Sequence, residues 1–411
     1  MNKFPVIPRP VFIQVVLFLG LSLSACQSVD AQRSGAGFVS FQKTVVDAEL
    51  PGGYGLTVAD IDGDGLNDIV ALAMTPAQLI WYKNPTWQRH VITTATAANV
   101  DVAPRDINGD GYTDLVLSSA FNLRDSTAGG LVHWLENPGN PVVNQEWQMH
   151  LIDQIPTSHR LRWADLNGNG RKQLINLPII GAGAQAPAYQ GGAELTVYAI
   201  PSNPRSSPWG SVVLDRTLEM AHGLTILDWD GDGRDEVLTA SFNGIDLFQL
   251  ANRGKFVDRT TLVTAQPGER PAIGASEVAV GFSGRPERRF LATIEPWHGN
   301  ELVVYRPASD DSGNFSREVI FSELSGGHAL AVADLNNNGF DEIIVGGRGR
   351  PCSLLIFRYN PETREWQRRS LDNDVAVSGM VIADLTGNGF KDIAVVGSAT
   401  ADVVIYRNSG R

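Results

Sequence analysis

Cysteine is nearly absent: the 411 residues hold two, Cys26 and Cys352. So few exclude a disulfide-stapled scaffold and a Cys-rich zinc module. Charge is sparse too, at 19% of residues, and the net charge is −12. An acidic balance disfavours nucleic acid as a partner. The apolar stretch from Val11 to Leu23 is too short and too abruptly ended for a membrane span. No nucleophile-elbow motif supports a Ser-His-Asp hydrolase. Glycine, by contrast, is plentiful at 42 residues. Together these point to a turn-rich, largely β extracellular protein with a sizeable core.

Lys3 and Arg9 precede the apolar stretch, which ends in Leu23-Ser24-Ala25-Cys26. Residues 1–25 therefore read as a secretory signal. The small residues before Cys26 resemble the lipobox of bacterial lipoproteins. That resemblance implies cleavage before Cys26, lipidation of its thiol and a lipidated tether over residues 26–37. It places the chain in the cell envelope, held to the membrane by the lipid alone. Gln27 follows where Asp would signal inner-membrane retention, so the outer membrane is favoured. With Cys26 lipidated, Cys352 stands alone and reads as a small buried residue. The chain is expected to be a monomer.

Six acidic segments share the form D-x-[DNT]-x-[DN]-G-x-x-[DEQ]-[ILV]. They start at Asp60, Asp106, Asp165, Asp228, Asp334 and Asp384, at spacings of 46, 59, 63, 106 and 50 residues. The gap of 106 is two repeats of 53. A degenerate copy that keeps its strands and loses its acids, EVAVGFSGRPERRFLATI, lies near Gly281. Each of the seven units carries four strand signals with period-2 alternation. One enters the acidic loop and one leaves it. The third is aromatic and apolar (LIWYKN, LVHWLEN, DVVIYRN), and the fourth begins with an aromatic residue. Four-stranded units repeated around an axis are propeller blades. The last unit lacks its fourth strand, and Phe41-QKTVVD matches that pattern near the N-terminus. The fold expected is all-β: a seven-bladed propeller over residues 38–411, closed by an N-terminal strand that completes the last blade.

The acidic loops follow the ligand order of a calcium loop. Oxygens at positions 1, 3, 5, 7 and 9 are those of Asp60, Asp62, Asp64, Leu66 (backbone carbonyl) and Asp68 in the first loop. In the second they are Asp106, Asn108, Asp110, Tyr112 and Asp114. In the fourth they are Asp228, Asp230, Asp232, Arg234 and Glu236. Asp334, Asn336, Asn338, Phe340 and Glu342, and then Asp384, Thr386, Asn388, Phe390 and Asp392, follow in the last two. Acid count ranks the Asp60, Asp106 and Asp228 loops as the stronger Ca2+ sites. The Asp165 loop ends in Gln173 and ranks last. These repeats resemble the FG-GAP/VCBS family, which includes the integrin α propeller. The resemblance implies a Ca2+-binding propeller with its loops on the face opposite the usual ligand-binding face.

Six residues before three of the loops, where the innermost strand starts, stand His159, His222 and His328. Tyr54, Val100 and Ser378 take that place in other units. A fourth histidine, His298, sits in the turn Glu295-Pro-Trp-His-Gly. In a propeller these positions converge on the channel mouth opposite the acidic loops. His90 and His150 fall on outer fourth strands and read as exposed edge residues; His133, in a third strand, reads as packing. Channel-facing positions are mostly small, as in Gly55, Ala59, Gly223, Ala331 and Gly379. Asp101, Arg105, Arg160 and Arg162 break that rule. Two readings stand for them: an internal Asp101–arginine ion pair, or an arginine site for a carboxylate or an array of sugar hydroxyls. The neighbouring turns add Phe121, Arg124, Tyr189, Trp297, Arg348 and Arg350.

His, Arg and Tyr around one pocket suit β-elimination, in which a proton α to a carbonyl is removed and the enolate is stabilised. The Glu-Pro-Trp-His-Gly turn and the histidine-led strands resemble the propeller of the aldos-2-ulose dehydratases and, more loosely, seven-bladed polysaccharide lyases. The resemblance implies a carbohydrate lyase or dehydratase. His159, His222, His298 and His328 would act as base, acid or ligands of a second divalent metal. Tyr54, Arg105, Arg160, Arg162, Tyr189 and Trp297 would hold the carbohydrate. The competing expectation is a non-catalytic adhesion, glycan-binding or scaffold propeller, which explains the loops and the anchor but not the histidines.

Overall fold

Seven four-stranded antiparallel sheets follow one another along the computed structural model. It describes residues 37–411 apart from 144–146, 207, 251–256, 285–288, 309–313 and 411. The expected signal sequence and the expected lipid site at Cys26 lie outside the described residues. Six blades use consecutive strands. The seventh is the sheet in which Phe41–Asp47 pairs antiparallel with Val403–Asn408, beside Asp392–Gly397 and Val377–Ala383. The N-terminal strand thus closes the ring, as the sequence pattern requires, and removes the edge that the last blade would expose.

Each blade packs both faces against its neighbours, so its two middle strands are apolar on both sides. Asp68–Ala73, Glu342–Gly347 and Asp392–Gly397 are buried along their whole length. The core lies between blades: Leu50, Ile69 and Ile80 pack against Leu385, Val396 and Ile405 across the junction of the first and last blades. The outermost strands are the least buried, and Phe315–Phe321 holds no fully buried residue.

Two polar devices fasten neighbouring blades. Asn84, Asn137 and Asn408 end third strands. Their side chains donate to the backbone carbonyls of Leu385, Ile61 and Leu335, each in the acidic loop of the preceding blade around the ring. Their backbone N–H groups donate to the last acid of their own loop, Asp68, Asp114 and Asp392. At the outer edge, Tyr82 and Tyr406 donate their hydroxyls to Asp47 and Asp372 at 2.6 Å.

The innermost strands include Gly53–Ala59, Ser158–Ala164, Gly223–Leu227 and Gly327–Ala333. Each runs from one mouth of the channel to an acidic loop. Seven extended residues reach about 20 Å. The loops and the strand starts are therefore on opposite faces.

Candidate functional site

Each blade contributes one residue to the upper mouth, six positions before its loop: Tyr54, Val100, His159, His222, Glu277, His328 and Ser378. In four blades this residue is the extra one of a β-bulge. Pairing jumps from Gly53 to Gly55, Ser158 to Arg160, Gly327 to Ala329 and Val377 to Gly379. Tyr54, His159, His328 and Ser378 are skipped, and a bulge of this kind re-aims a side chain out of the alternating pattern. His298 arrives from the turn after Arg289–Glu295 with φ of 50°, a left-handed conformation rarely held by a residue with a side chain.

The structure brings all four histidines together. Ring centres of His222 lie 4.6 Å from His159, 4.5 Å from His298 and 5.3 Å from His328. His298 and His328 are 5.0 Å apart. His222 Nδ1 faces two acceptors, the Ser276 carbonyl at 2.9 Å and Glu277 Oε1 at 2.9 Å, so Nδ1 carries the proton. Its Nε2 is left bare and lies 3.0 Å from His298 Nε2. His298 Nδ1 accepts from Arg348 Nη2 at 3.2 Å, which leaves the His298 proton on Nε2, pointing at His222. His328 Nδ1 lies 2.5 Å from the Ser378 carbonyl, and its buried Nε2 has no partner. His159 Nε2 meets the Tyr54 hydroxyl at 3.2 Å.

His222, His298 and His328 each offer a ring nitrogen within 4.8 Å of the others. His222 and His328, anchored through Nδ1 to the Ser276 and Ser378 carbonyls, present bare Nε2 nitrogens that fit a divalent metal of the zinc type, and His298 would join them by giving up its Nε2 proton. The orphaned His328 Nε2 is the observation that supports this fit, since a buried acceptor without a partner is costly. His159 stands outside this trio.

Burial, seconded by Arg160, holds His159 well below the ordinary histidine range. Burial and then Arg348 do the same to His328. Burial and Arg160 lower His222, and burial with His222 lowers His298. The fold therefore disfavours a proton that the unfolded chain takes up near pH 6.5. Stability is full above that pH and falls as pH drops below it, by about 1 kcal/mol per pH unit for each such histidine. Buried loop acids pull the other way, so a difference measurement isolates the effect. Between pH 6.5 and 5.5, His328→Asn should lose about 1 kcal/mol less than the wild type in urea unfolding. Equal losses would mean that His328 is not held neutral.

Below the histidines a polar cavity of about 100 Å³ is lined by Tyr54, Asp101, Arg160, Arg162, Glu277 and Ser378, among others. Arg160 Nη2 donates to Glu277 Oε1 at 2.7 Å. Arg162 Nη1 donates to Asp101 Oδ2 at 2.8 Å. The internal ion-pair reading thus holds for Arg162, although its side chain keeps 41% exposure. Arg105 is a different case. It lies at the far end of Asp101–Arg105, 5.5 Å from the Trp163 ring. The rim is apolar: Phe121, Tyr189, Ile273 and Trp297 pack on a buried cluster of Ile179, Ile180 and Phe242. Trp297 stacks on His298 at 4.2 Å, and Phe121 lies 5.6 Å from His159.

His90 is a correction to the expected exposed edge residue. It is 2% exposed and stacked on Trp81 at 4.6 Å, because the outer strand folds its inward side onto the indole. His150, half-buried, stacks on Trp134 and reaches Glu136. Glu277 is the residue that sequence reasoning missed. The six-residue count finds it when applied to the degenerate unit, whose loop position begins at Ser283.

On the opposite face, the first Asp of every acidic loop accepts backbone N–H groups from its own turn, such as Gly63, Asp64 and Gly65 on Asp60. The sixth-position glycines hold φ between 78° and 90°, where a side chain would be strained. Three carboxylates converge in two loops, Asp60/Asp62/Asp68 and Asp228/Asp230/Glu236. Burial raises Asp68 to about 7, Asp114 to about 6 and Glu342 to about 7. Asp62 Oδ1 is buried without a partner, and the Lys83 ammonium reaches both Asp62 and Asp64. Hard oxygen donors that already attract a side-chain cation fit Ca2+.

Residues 129–308 match the family model "Aldos-2-ulose dehydratase, beta-propeller domain", and residues 60–117 match "FG-GAP-like repeat". The aldos-2-ulose dehydratase of Phanerodontia chrysosporium is 28% identical over an alignment of 322 positions, and the match covers 72% of this chain and 34% of that protein. The chain thus spans about a third of that relative's length. Among solved structures, BBS1N in complex with ARL6DN aligns over 90% of this chain and 96% of that one, at 12% identity and a TM-score of 0.52. An Agrocybe aegerita lectin specific for non-reducing terminal N-acetylglucosamine aligns over 82% of each chain, at 15% identity and a TM-score of 0.48. The chain is a seven-bladed propeller of FG-GAP-like repeats that resembles the aldos-2-ulose dehydratase propeller.

Proposed function

We propose that this chain is a carbohydrate dehydratase or lyase that works by β-elimination at the histidine mouth. The observation that carries the reading is the division of labour among four converged histidines: a trio fit to hold a divalent metal, and His159 left beside it with Tyr54. A metal held there would polarise a keto or carboxylate oxygen of the substrate. His159, kept neutral by burial, is free to take the proton from the carbon next to that group. The C–H electron pair becomes the new C=C bond, and the β C–O bond breaks. Tyr54, hydrogen-bonded to His159, delivers a proton to the departing oxygen, so a hydroxyl leaves as water. Arg348 lies beside His298, where it can stabilise enolate charge. Phe121 and Trp297 offer apolar faces for a sugar ring.

The resemblance to aldos-2-ulose dehydratase supports 2-keto sugars as the substrate class. In the same proposal, the acidic loops hold Ca2+ and Cys26 carries a lipid that tethers the propeller to the cell envelope. The test is turnover by purified Zn2+-loaded protein of aldos-2-uloses, anhydro-keto sugars and uronate glycans, followed by the ultraviolet absorbance of the unsaturated product. Saturable binding without turnover would make this a glycan-binding propeller instead.

A further inference from the structure

We propose that Glu277 is the positioning residue of the histidine site, resting on the functional reading above: it keeps the His222 proton on Nδ1 by occupying the arginine that would otherwise displace it. His222 Nδ1 lies between opposing groups. Glu277 Oε1 and the Ser276 carbonyl, each at 2.9 Å, accept a proton there. Arg160 Nη2, at 3.4 Å, can only donate. An imidazole nitrogen cannot face a donor and keep its own proton. Glu277 resolves the conflict because the same Oε1 takes Arg160 Nη2 at 2.7 Å. The guanidinium is drawn to the carboxylate, and the Nδ1 proton has an anionic acceptor.

Without that carboxylate, the Nη2 of the buried Arg160 is left facing His222 Nδ1 at 3.4 Å. The His222 proton then moves to Nε2. There it faces His298 Nε2 at 3.0 Å and blocks the lone pair that the cluster needs. A charged partner that fixes the tautomer of a ligating histidine contributes about 10- to 100-fold in metal affinity. Glu277 holds the mouth position in the unit whose acidic loop has lost its acids. Its presence there is explained by the site, not by the repeat.

The test uses metal-free full-length mature protein with 15N-labelled histidine, whose imidazole nitrogen shifts report each tautomer, together with Zn2+ competition against a chromogenic chelator. Wild-type His222 should carry Nδ1–H. Glu277→Met should move the proton to Nε2 and weaken Zn2+ binding by about 10- to 100-fold. The double variant Arg160→Met/Glu277→Met removes the competing donor as well. It should return His222 to Nδ1–H on the Ser276 carbonyl and recover most of the affinity. A merely structural role for Glu277 gives no such recovery. Should Glu277→Met not fold, Glu277→Gln carries the test in the same direction with a smaller loss. His222 unchanged as Nδ1–H in the single variant, or no recovery in the double, overturns the proposal. Failure of wild type to bind Zn2+ would count against the metal reading alone, since the tautomer arm still decides Glu277.

Discussion

Replacing His222 by alanine is expected to lower kcat/KM for elimination by about 10²–10³-fold, with the melting temperature held within a few degrees at pH 7.5. His222 is the centre of the cluster, in ring contact with each of the other three histidines. Its loss removes one candidate metal ligand and the partner of His298 Nε2 at once. The metal that His222 would help to hold is what would polarise the substrate oxygen, and removal of one such electrostatic stabiliser typically costs about 10²–10³-fold. The comparison variant is His133→Gln, a partly buried third-strand histidine remote from the mouth contacts, which should leave kcat/KM within about threefold. Equal activity in His222→Ala and wild type, measured by product absorbance, would sink the proposed site.

Chelation by EGTA is expected to lower the melting temperature by roughly 10 °C. At a hundredfold excess over Kd, each occupied loop adds about 2.7 kcal/mol. Two or three such loops give a shift of that size in a domain this large. The physical basis is the set of carboxylates that folding buries: Asp68, Asp114 and Glu342, raised to about 7, 6 and 7. Their folded pKa values lie above the unfolded ones. Without a cation, their ionisation costs stability above those values and costs none well below them. The chelation shift should therefore be larger at pH 8 than at pH 5.5. Asp228→Asn, in a loop where three carboxylates converge, should remove more of the calcium effect than Asp384→Asn. Calorimetric scans with and without Ca2+ read both comparisons. No shift at either pH would argue that the loops stand without metal, braced by their own turns and by Lys83.

The repeat and its ring closure were legible because they rest on local chemistry. A strand alternates, a glycine at positive φ wraps the loop, and Phe41–Asp47 copies the outer-strand pattern. None of these depends on what lies across the molecule. The exposure of His90 was misread for the opposite reason. Its neighbour in the sequence pattern is solvent, whereas its neighbour in space is Trp81. The depth of Arg105 was not legible, because equal parity along a strand does not give equal depth in a channel. The strand's length sets it down near Trp163, away from the histidines.

Counting back from each loop was enough to name His159, His222 and His328, because every blade repeats the same strand length. By itself the sequence determined a closed seven-bladed ring and which residue types stand at its mouth. Only the tertiary structure decided that the side chains meet. Four bulges turn Tyr54, His159, His328 and Ser378 toward the mouth, and a left-handed turn brings His298 in from another part of the blade. It also decided that Glu277 and Arg160, 117 residues apart, share His222. The reason is geometric: periodicity along a chain gives the direction and spacing of each blade, while contact across the axis depends on how seven blades close.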